Sequence, residues 1–375
     1  MELIVGTYGT WLWLLELGAA TFAVQKISIF EAKNTSCLAL SPDKRFLFAV
    51  SESGSDSGLY SFLVHPYDRL KPLPHGRIER ISELKGIAPD PCHLLYIPGF
   101  YNRCGNPDDG VLLTADYSGG SVSLYPVHAG RLAPAAQVVR FDGGGPVPKR
   151  QEASHIHHLV RRGDLVLAAD LGADCIHVLR LFDGTVRPLC DGRLCREPRL
   201  EKIFDIKAPE GSGPRHMTLS ADGRLLYSIT ELSNEILVYA LEDELADEAD
   251  VKLLQRVPVG YKDFPMQAGG DIQLSPDGKH LYASLRNGDD GMVICDVQPD
   301  GTLVGKSFQE TGRHVRDFVF AEPDPPYYDL LLAFCKNDRC IQVFRRYANG
   351  GGLCLKQEIR IDDFLGEPVF GIPLY

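Results

Sequence analysis

Three stretches of the chain nearly repeat one another: LALSPDKRFLFAV from Leu38, MTLSADGRLLYSI from Met217 and IQLSPDGKHLYAS from Ile272. Each joins two alternating apolar runs through a turn of the Ser-Pro-Asp-Gly kind, which is the pattern of an antiparallel hairpin. Repetition of this kind constrains a fold strongly, because a unit that cannot bury its own faces must stack on its copies. Aligning the second run gives seven equivalent starts, at Leu3, Leu47, Leu112, Val166, Leu226, Leu281 and Leu331, separated by 44 to 65 residues. Later strands of the same units are visible as SVSLYPV from Ser121, CIHVLRL from Cys175 and EILVYAL from Glu235.

A spacing near fifty residues predicts one four-stranded blade per repeat. The expectation is therefore an all-β, seven-bladed β-propeller of antiparallel four-stranded blades, with residues 1–375 forming a single domain. The first repeat, LIVGTY, starts at its second strand, and EPVFGIPLY near the other end reads as a first strand with no successor. One blade is expected to be built from both termini, which closes the ring and leaves no free sheet edge. No long amphipathic helix is evident, against a two-domain α/β reading. The 37 Gly and 25 Pro suit many short strands joined by turns.

The net charge of -11 argues against nucleic acid as a partner, since phosphate binding needs a concentrated basic surface. Much of that charge sits in runs such as Glu242 to Asp250, a solvated loop. The apolar run from Trp11 to Val24 contains Glu16 and is too short to span a membrane; it reads as strand and loop of the first blade. Ten cysteines without a C-x-x-C pair, and no basic-headed secretory signal, lead to reduced thiols in a cytoplasmic protein.

In a hairpin the start of strand one and the end of strand two lie together, so in a propeller these positions ring one mouth of the central channel. The first position of strand one reads Ser36, Cys92, His157, Arg215, Gly270, Arg316 around the ring; the next reads Cys37, His93, His158, His216, Asp271, Asp317. The second column is nearly always His or Asp and reads as a structural device that bonds neighbouring backbone. The first column varies, which gives His157, Arg215 and Arg316 functional weight. The end of strand two reads Tyr8, Glu52, Tyr117, Leu171, Glu231, Arg286, Lys336.

His157, Arg215, Glu231 and Arg286 are thus expected to converge on one cavity as the catalytic set. A histidine or a carboxylate serves as general acid or base near neutral pH, and these residues alone do not rank His157 against Glu231. Two arginines bind an anion and stabilise developing oxyanion charge. Arg316, Lys336 and Tyr117 are candidate substrate contacts. So are Arg150 and Glu152, carried by the Gly- and Pro-rich segment GGGPVPKRQEASHIH from Gly143. That segment lacks the spacing of a phosphate-binding P-loop. A metal site at His155, His157 and His158 is disfavoured, because strand alternation puts His158 on the opposite face from the other two. No cofactor is expected.

With these residues in order, the chain resembles the lactonase family of seven-bladed propellers, which contains bacterial 6-phosphogluconolactonase and fungal carboxy-cis,cis-muconate cyclase. The matching stretches are VGTY at Val5, ADYSGGSVSLYPV from Ala115, GPVPKRQEASHIHH from Gly145, LAADLGAD from Leu167, GSGPRHMTLSADGRLLY from Gly211, ITELSNEILVY from Ile229 and DIQLSPDGKHLYASLRN from Asp271. The resemblance implies a catalytic group of one histidine, one glutamate and two arginines. Its motifs fall on His157, Glu231, Arg215 and Arg286, the residues singled out by the repeat comparison. The chain departs from the family in GTYGTWLWLLELGAATF, which lacks a polar loop after VGTY, and in the longer turn IPGFYNRCGNPDDG from Ile97. The implied reaction is hydrolysis of a small anionic sugar lactone, foremost 6-phosphoglucono-1,5-lactone. Cyclisation of a muconate-like diacid and a non-catalytic binding scaffold are the alternatives.

Overall fold

A computed structural model of the chain describes residues 1–18, 21–66, 77–99, 108–188, 194–260, 267–288, 290–321, 329–360 and 365–374; within these, side chains of 183–188 and 194–197 are not described. Much of the long turn after Ile97 lies outside the described residues.

The recurring turn explains why the hairpins form. Ser41, Ser220 and Ser275 each donate their hydroxyl to the aspartate two residues on (Asp43, Asp222 and Asp277), each at 2.6 Å. The same hydroxyls accept from the backbone N–H of Phe46, Leu225 and His280, five residues on. The turn then needs a left-handed residue, supplied by Gly223 and Gly278, and by Lys44 where the sequence has no glycine.

The strands assemble into seven antiparallel sheets. Blade 1 contains Glu367–Pro373, Glu2–Tyr8, Trp11–Leu17 and Val24–Glu31, from the axis outward. Blade 2 contains Leu38–Leu40, Phe46–Ser51, Gly58–Val64 and Ile78–Lys85. Blade 3 contains Pro91–Pro98, Gly110–Asp116 and Ser121–His128, and its outer edge is shared by Arg131–Leu132 and Gln137–Arg140. Blades 4 to 7 begin with Ile156–Arg162, Pro214–Leu219, Ala268–Leu274 and Val315–Phe320. Their second strands are Leu165–Asp170, Leu225–Thr230, His280–Arg286 and Leu330–Cys335. All seven expected anchors lie on second strands. Blade 3 departs from the four-strand expectation because Pro134, which has no N–H to donate, splits its outer strand in two.

Seven apolar clusters lie between the sheets, each drawing side chains from two neighbouring blades. The second strands are accordingly apolar on both faces, as Leu330–Cys335 is throughout. The ring closes where Glu367–Pro373 pairs with Glu2–Tyr8, with Ile4 opposite Ile372. Trp13, fully buried in the cluster between blades 7 and 1, donates its indole N–H to the Leu365 carbonyl at 3.1 Å. Gly371 in the closing strand has no substitute: a Cβ there would sit 2.1 Å from the Phe334 ring.

Trp13→Ala should cost about 3–5 kcal/mol through the cavity and the lost clasp, read as a lower urea midpoint at unchanged m-value.

Candidate active site

The innermost strands share an irregularity at the mouth. Register shifts between Pro91 and His93, Ile156 and His158, Pro214 and His216, and Val315 and Asp317 leave Cys92, His157, Arg215 and Arg316 as bulge residues. In blade 6 the shift spans Gly269 to Ile272, and in blade 1 it falls opposite Gly6 and Thr7, leaving Val369 out. A bulge re-aims its side chain, so two consecutive residues face the channel region instead of alternating. This corrects the expected separation of His157 and His158. Their rings lie 5.2 Å and 4.4 Å from the ring of His216.

The bulge carrying His157 is braced from behind. The Asp170 carboxylate accepts from the Ser154 hydroxyl and from the backbone N–H of His155, Gly172 and Ala173. His177 joins it, with Nε2 3.0 Å from Asp170 and Nδ1 2.6 Å from Asp205, and stacks on Phe141 at 3.9 Å. Burial works against charge on His177, but the two carboxylates overcome it and raise its pKa to about 10. The Cys92 thiol reaches the His157 carbonyl at 3.3 Å from blade 3.

Glu231 is the centre of the polar cluster. Its Oε2 accepts from Arg215 Nε and from Arg286 Nη2, both at 2.9 Å, and its Oε1 accepts from Arg150. Arg215 also donates to the Gly270 carbonyl and Arg286 to the Gly269 carbonyl, each at 2.7 Å. These two glycines are required: a Cβ on Gly269 would meet the Thr230 carbonyl at 2.3 Å, and one on Gly270 would meet the Ser284 hydroxyl at 2.3 Å. Blade 6 thus offers backbone acceptors where other blades offer side chains.

Burial raises the Glu231 carboxyl, but Arg286, Arg215 and Arg150 outweigh it and hold the pKa at about 2. Burial, then the neighbouring Arg286, brings Arg215 down to about 9. Burial first and Arg215 second push His157 well below 6.5, so its imidazole is neutral at physiological pH. Among the described residues His157 Nδ1 has no hydrogen-bond partner.

Arg316 and Lys336 form the other half of the mouth. Arg316 donates to Glu52 at 3.0 Å, and the Tyr8 hydroxyl donates to the same oxygen at 2.7 Å. Both cations lie over the Tyr8 ring, at 5.1 Å and 5.5 Å, and Lys336 approaches Glu367 at 3.5 Å. The end-of-strand column already contained Tyr8 and Glu52, but a first blade without a polar loop gave no reason to promote them. His314, lowered to about 3 by burial first and then by Arg286, carried no sequence signal at all.

Arg150 reaches the mouth because its loop is folded around Gln151, whose amide donates to the Leu171 carbonyl and whose Oε1 accepts from Val147 N–H. Tyr117 bonds Arg150 and lies edge-on to His157 at 5.7 Å. Glu152 does not join: it is exposed, and its nearest polar partner is His155 at 3.5 Å. Among the described residues, two side-chain groups have the donor types of a metal site, Asp170–Cys175–His177 and His216–Asp271–Asp317. In the first, both His177 nitrogens are committed to carboxylates; the second is faced by the Arg215 and Arg316 guanidinium groups, which oppose a cation.

A seven-bladed propeller that gathers five cations, three carboxylates and a neutral imidazole at one mouth has the groups to hold a small anion. The chain belongs to the lactonase family of seven-bladed β-propellers, whose family model matches residues 2–363. It is 30% identical over 349 residues to 6-phosphogluconolactonase of Formosa agariphila, covering 88% of this chain and 86% of that one. It is 25% identical to 6-phosphogluconolactonase of Bacillus subtilis, over 86% and 83% of the two chains. The periplasmic gluconolactonase of Pseudomonas aeruginosa superposes with a TM-score of 0.77 at 27% identity, over 99% and 98% of the chains. No helix among the described residues is long and apolar enough to cross a membrane.

The raised pKa of His177 means that the folded protein holds a proton more tightly than the unfolded one. The stability this contributes is fully present below pH 6.5 and is lost as pH rises through about 10. The urea midpoint of the wild type should therefore fall more steeply between pH 7 and 10 than that of His177→Gln.

Proposed function

We propose that this protein hydrolyses a small anionic sugar lactone, foremost 6-phosphoglucono-1,5-lactone, to its acid. The observation that carries the reading is the pairing of a buried neutral imidazole, His157, with Glu231-anchored guanidinium groups at one mouth. The family relatives named as phosphogluconolactonases and gluconolactonase support the reaction class. Seven described cysteines with free thiols suit a cytoplasmic setting.

Two observations favour His157 over Glu231 as the base. Both Glu231 oxygens accept from arginines, and a carboxyl held near pKa 2 is a weak base. His157 has a free nitrogen and is neutral, so it removes a proton from water as the water oxygen attacks the ester carbonyl. Arg215 and Arg286 stabilise the oxyanion that forms, and Glu231 keeps both guanidinium groups in place. The phosphate is assigned to Arg316, Lys336 and Arg150, the last of which keeps a side chain 40% exposed to receive it. When the tetrahedral adduct collapses, the ring C–O bond breaks and His157 returns a proton to the leaving oxygen.

Proton release from fresh 6-phosphogluconolactone, corrected for spontaneous hydrolysis, is the direct assay; a muconate-type diacid serves as the comparison substrate. His157→Gln should lower kcat by about 10²–10⁴-fold. Arg286→Ala should lower kcat/KM at least about tenfold, given about 1.5–3 kcal/mol for a charge-assisted contact. Because His157 is already neutral, the wild-type rate should stay level as pH falls through 6.5, where an unperturbed histidine base would lose half its activity. Unchanged kcat in His157→Gln would remove it as the base.

A further inference from the structure

Below the mouth, the second residues of the innermost strands form a polar column along the axis. The His93 and His158 rings are 4.0 Å apart, His158 stacks on His216 at 4.4 Å, and His157 lies 5.2 Å from His216. Ring contacts this close allow nitrogens to meet within hydrogen-bond range or across one water. His216 Nδ1 is 2.7 Å from Asp271 Oδ1, and a nitrogen of His216 with one oxygen each of Asp271 and Asp317 all lie within 4.8 Å of one another.

Part of this column does what a structural repeat should do. His93 accepts from the Leu159 N–H at 3.3 Å, and Asp271 accepts from the Gln273 amide at 2.8 Å. Asp317 is different. It is 5% exposed, and no hydrogen bond to it is seen among the described residues. It lines a small cavity beside His93, His216, Arg215 and Arg316. Nor does the fold demand a polar group at this position: Cys37 occupies it in blade 2, and Phe370 follows the bulge in blade 1.

Two buried carboxylates this close cannot both ionise, so the pair holds one proton and is able to take another. Burial raises both carboxyls, and Asp271 raises Asp317 further. The groups facing them are His93, His216, Arg215 and Arg316; the guanidinium groups moderate the effect without forming an ion pair to Asp317.

On the proposed reading His157 returns the water proton to the leaving oxygen. The one net proton that lactone hydrolysis releases at neutral pH is therefore that of the product carboxylic acid, which the neutral His157 takes up. Glu231 cannot take it over, being held ionised by three arginines. The geometry points to His216 and the Asp271–Asp317 pair as a proton relay that restores His157 through the central channel. His157, protonated by the product carboxyl group, passes that proton to Nε2 of His216. The Nδ1 proton of His216 moves to Asp271, so His216 ends neutral in its other tautomer and the carboxylate pair, now holding two protons, is neutral. No bond other than N–H and O–H changes. When product leaves, the proton returns along the same path and passes from His157 to solvent at the open mouth.

The relay rests on His157 being the base, so its test has an arm that does not use activity. Infrared difference spectra of the full-length protein near neutral pH should show the carbonyl stretch of a protonated carboxylic acid that disappears in Asp317→Asn. Absence of that band in the wild type overturns the relay whatever the substrate proves to be. In kinetics, Asp271→Asn and Asp317→Asn should lower kcat at least tenfold with KM within twofold, and added imidazole buffer should restore part of it. Asp317→Asn breaks no hydrogen bond and should melt within a few degrees of the wild type, which keeps the test valid if Asp271→Asn fails to fold. Full kcat in Asp317→Asn, or a loss carried by KM and insensitive to buffer, overturns the relay while leaving His157 as base. A wild type inert toward the lactone instead removes the proposed function.

Discussion

The ladder between Glu367–Pro373 and Glu2–Tyr8 joins the two ends of a cyclic stack, and every other feature depends on that closure. Each sheet buries both faces against a neighbour, so an open ring would leave two apolar faces in water. Closure also fixes the direction of the seven innermost strands. All of them present their starting residues at the same end of the axis, and side chains from residues as distant as Tyr8 and Arg316 come to share one site.

On that frame the bulge is the device that converts a repeat into a site. A regular strand would turn His157 and Arg215 away from the residues that follow them. The inserted residue aims both toward the mouth while His158 and His216 line the channel below. The sheet keeps its register beyond the bulge, so the apolar clusters are undisturbed. The functional positions vary from blade to blade without a cost to the packing that holds the blades together.

Electrostatics then separates the roles. Buried guanidinium groups need a counter-charge, and Glu231 supplies it to three of them at once. The same interaction that makes the arginines tolerable holds the Glu231 carboxyl near pKa 2, where it is a weak base. Burial first, and the positive field second, keep His157 neutral, so its imidazole is uncharged in a cationic pocket. An acidic protein thereby gathers positive charge locally at the mouth.

The architecture was legible because it is written redundantly. The Ser-Pro-Asp-Gly turns, the seven second-strand anchors and the orphan strands near the two ends each imply the same ring, and local hydrogen bonds carry out those signals within a few residues. The columns of mouth residues were legible for the same reason, since a repeat makes equivalent positions visible without coordinates. What the chain alone could not convey were facts that arise between blades. The bulges that put His157 and His158 near one ring depend on pairing with Leu165–Asp170, and strand alternation by itself predicts the opposite. Arg150 reaches Glu231, and Glu152 misses it, because of how Gln151 anchors a loop on the Leu171 carbonyl. The meeting of three arginines on one carboxylate, on which the proposal of His157 rather than Glu231 as base rests, is likewise a contact between distant segments. Sequence determined which residue types stand at the mouth; tertiary structure decided their charges, because a pKa is set by whatever distant segments bring within a few ångströms.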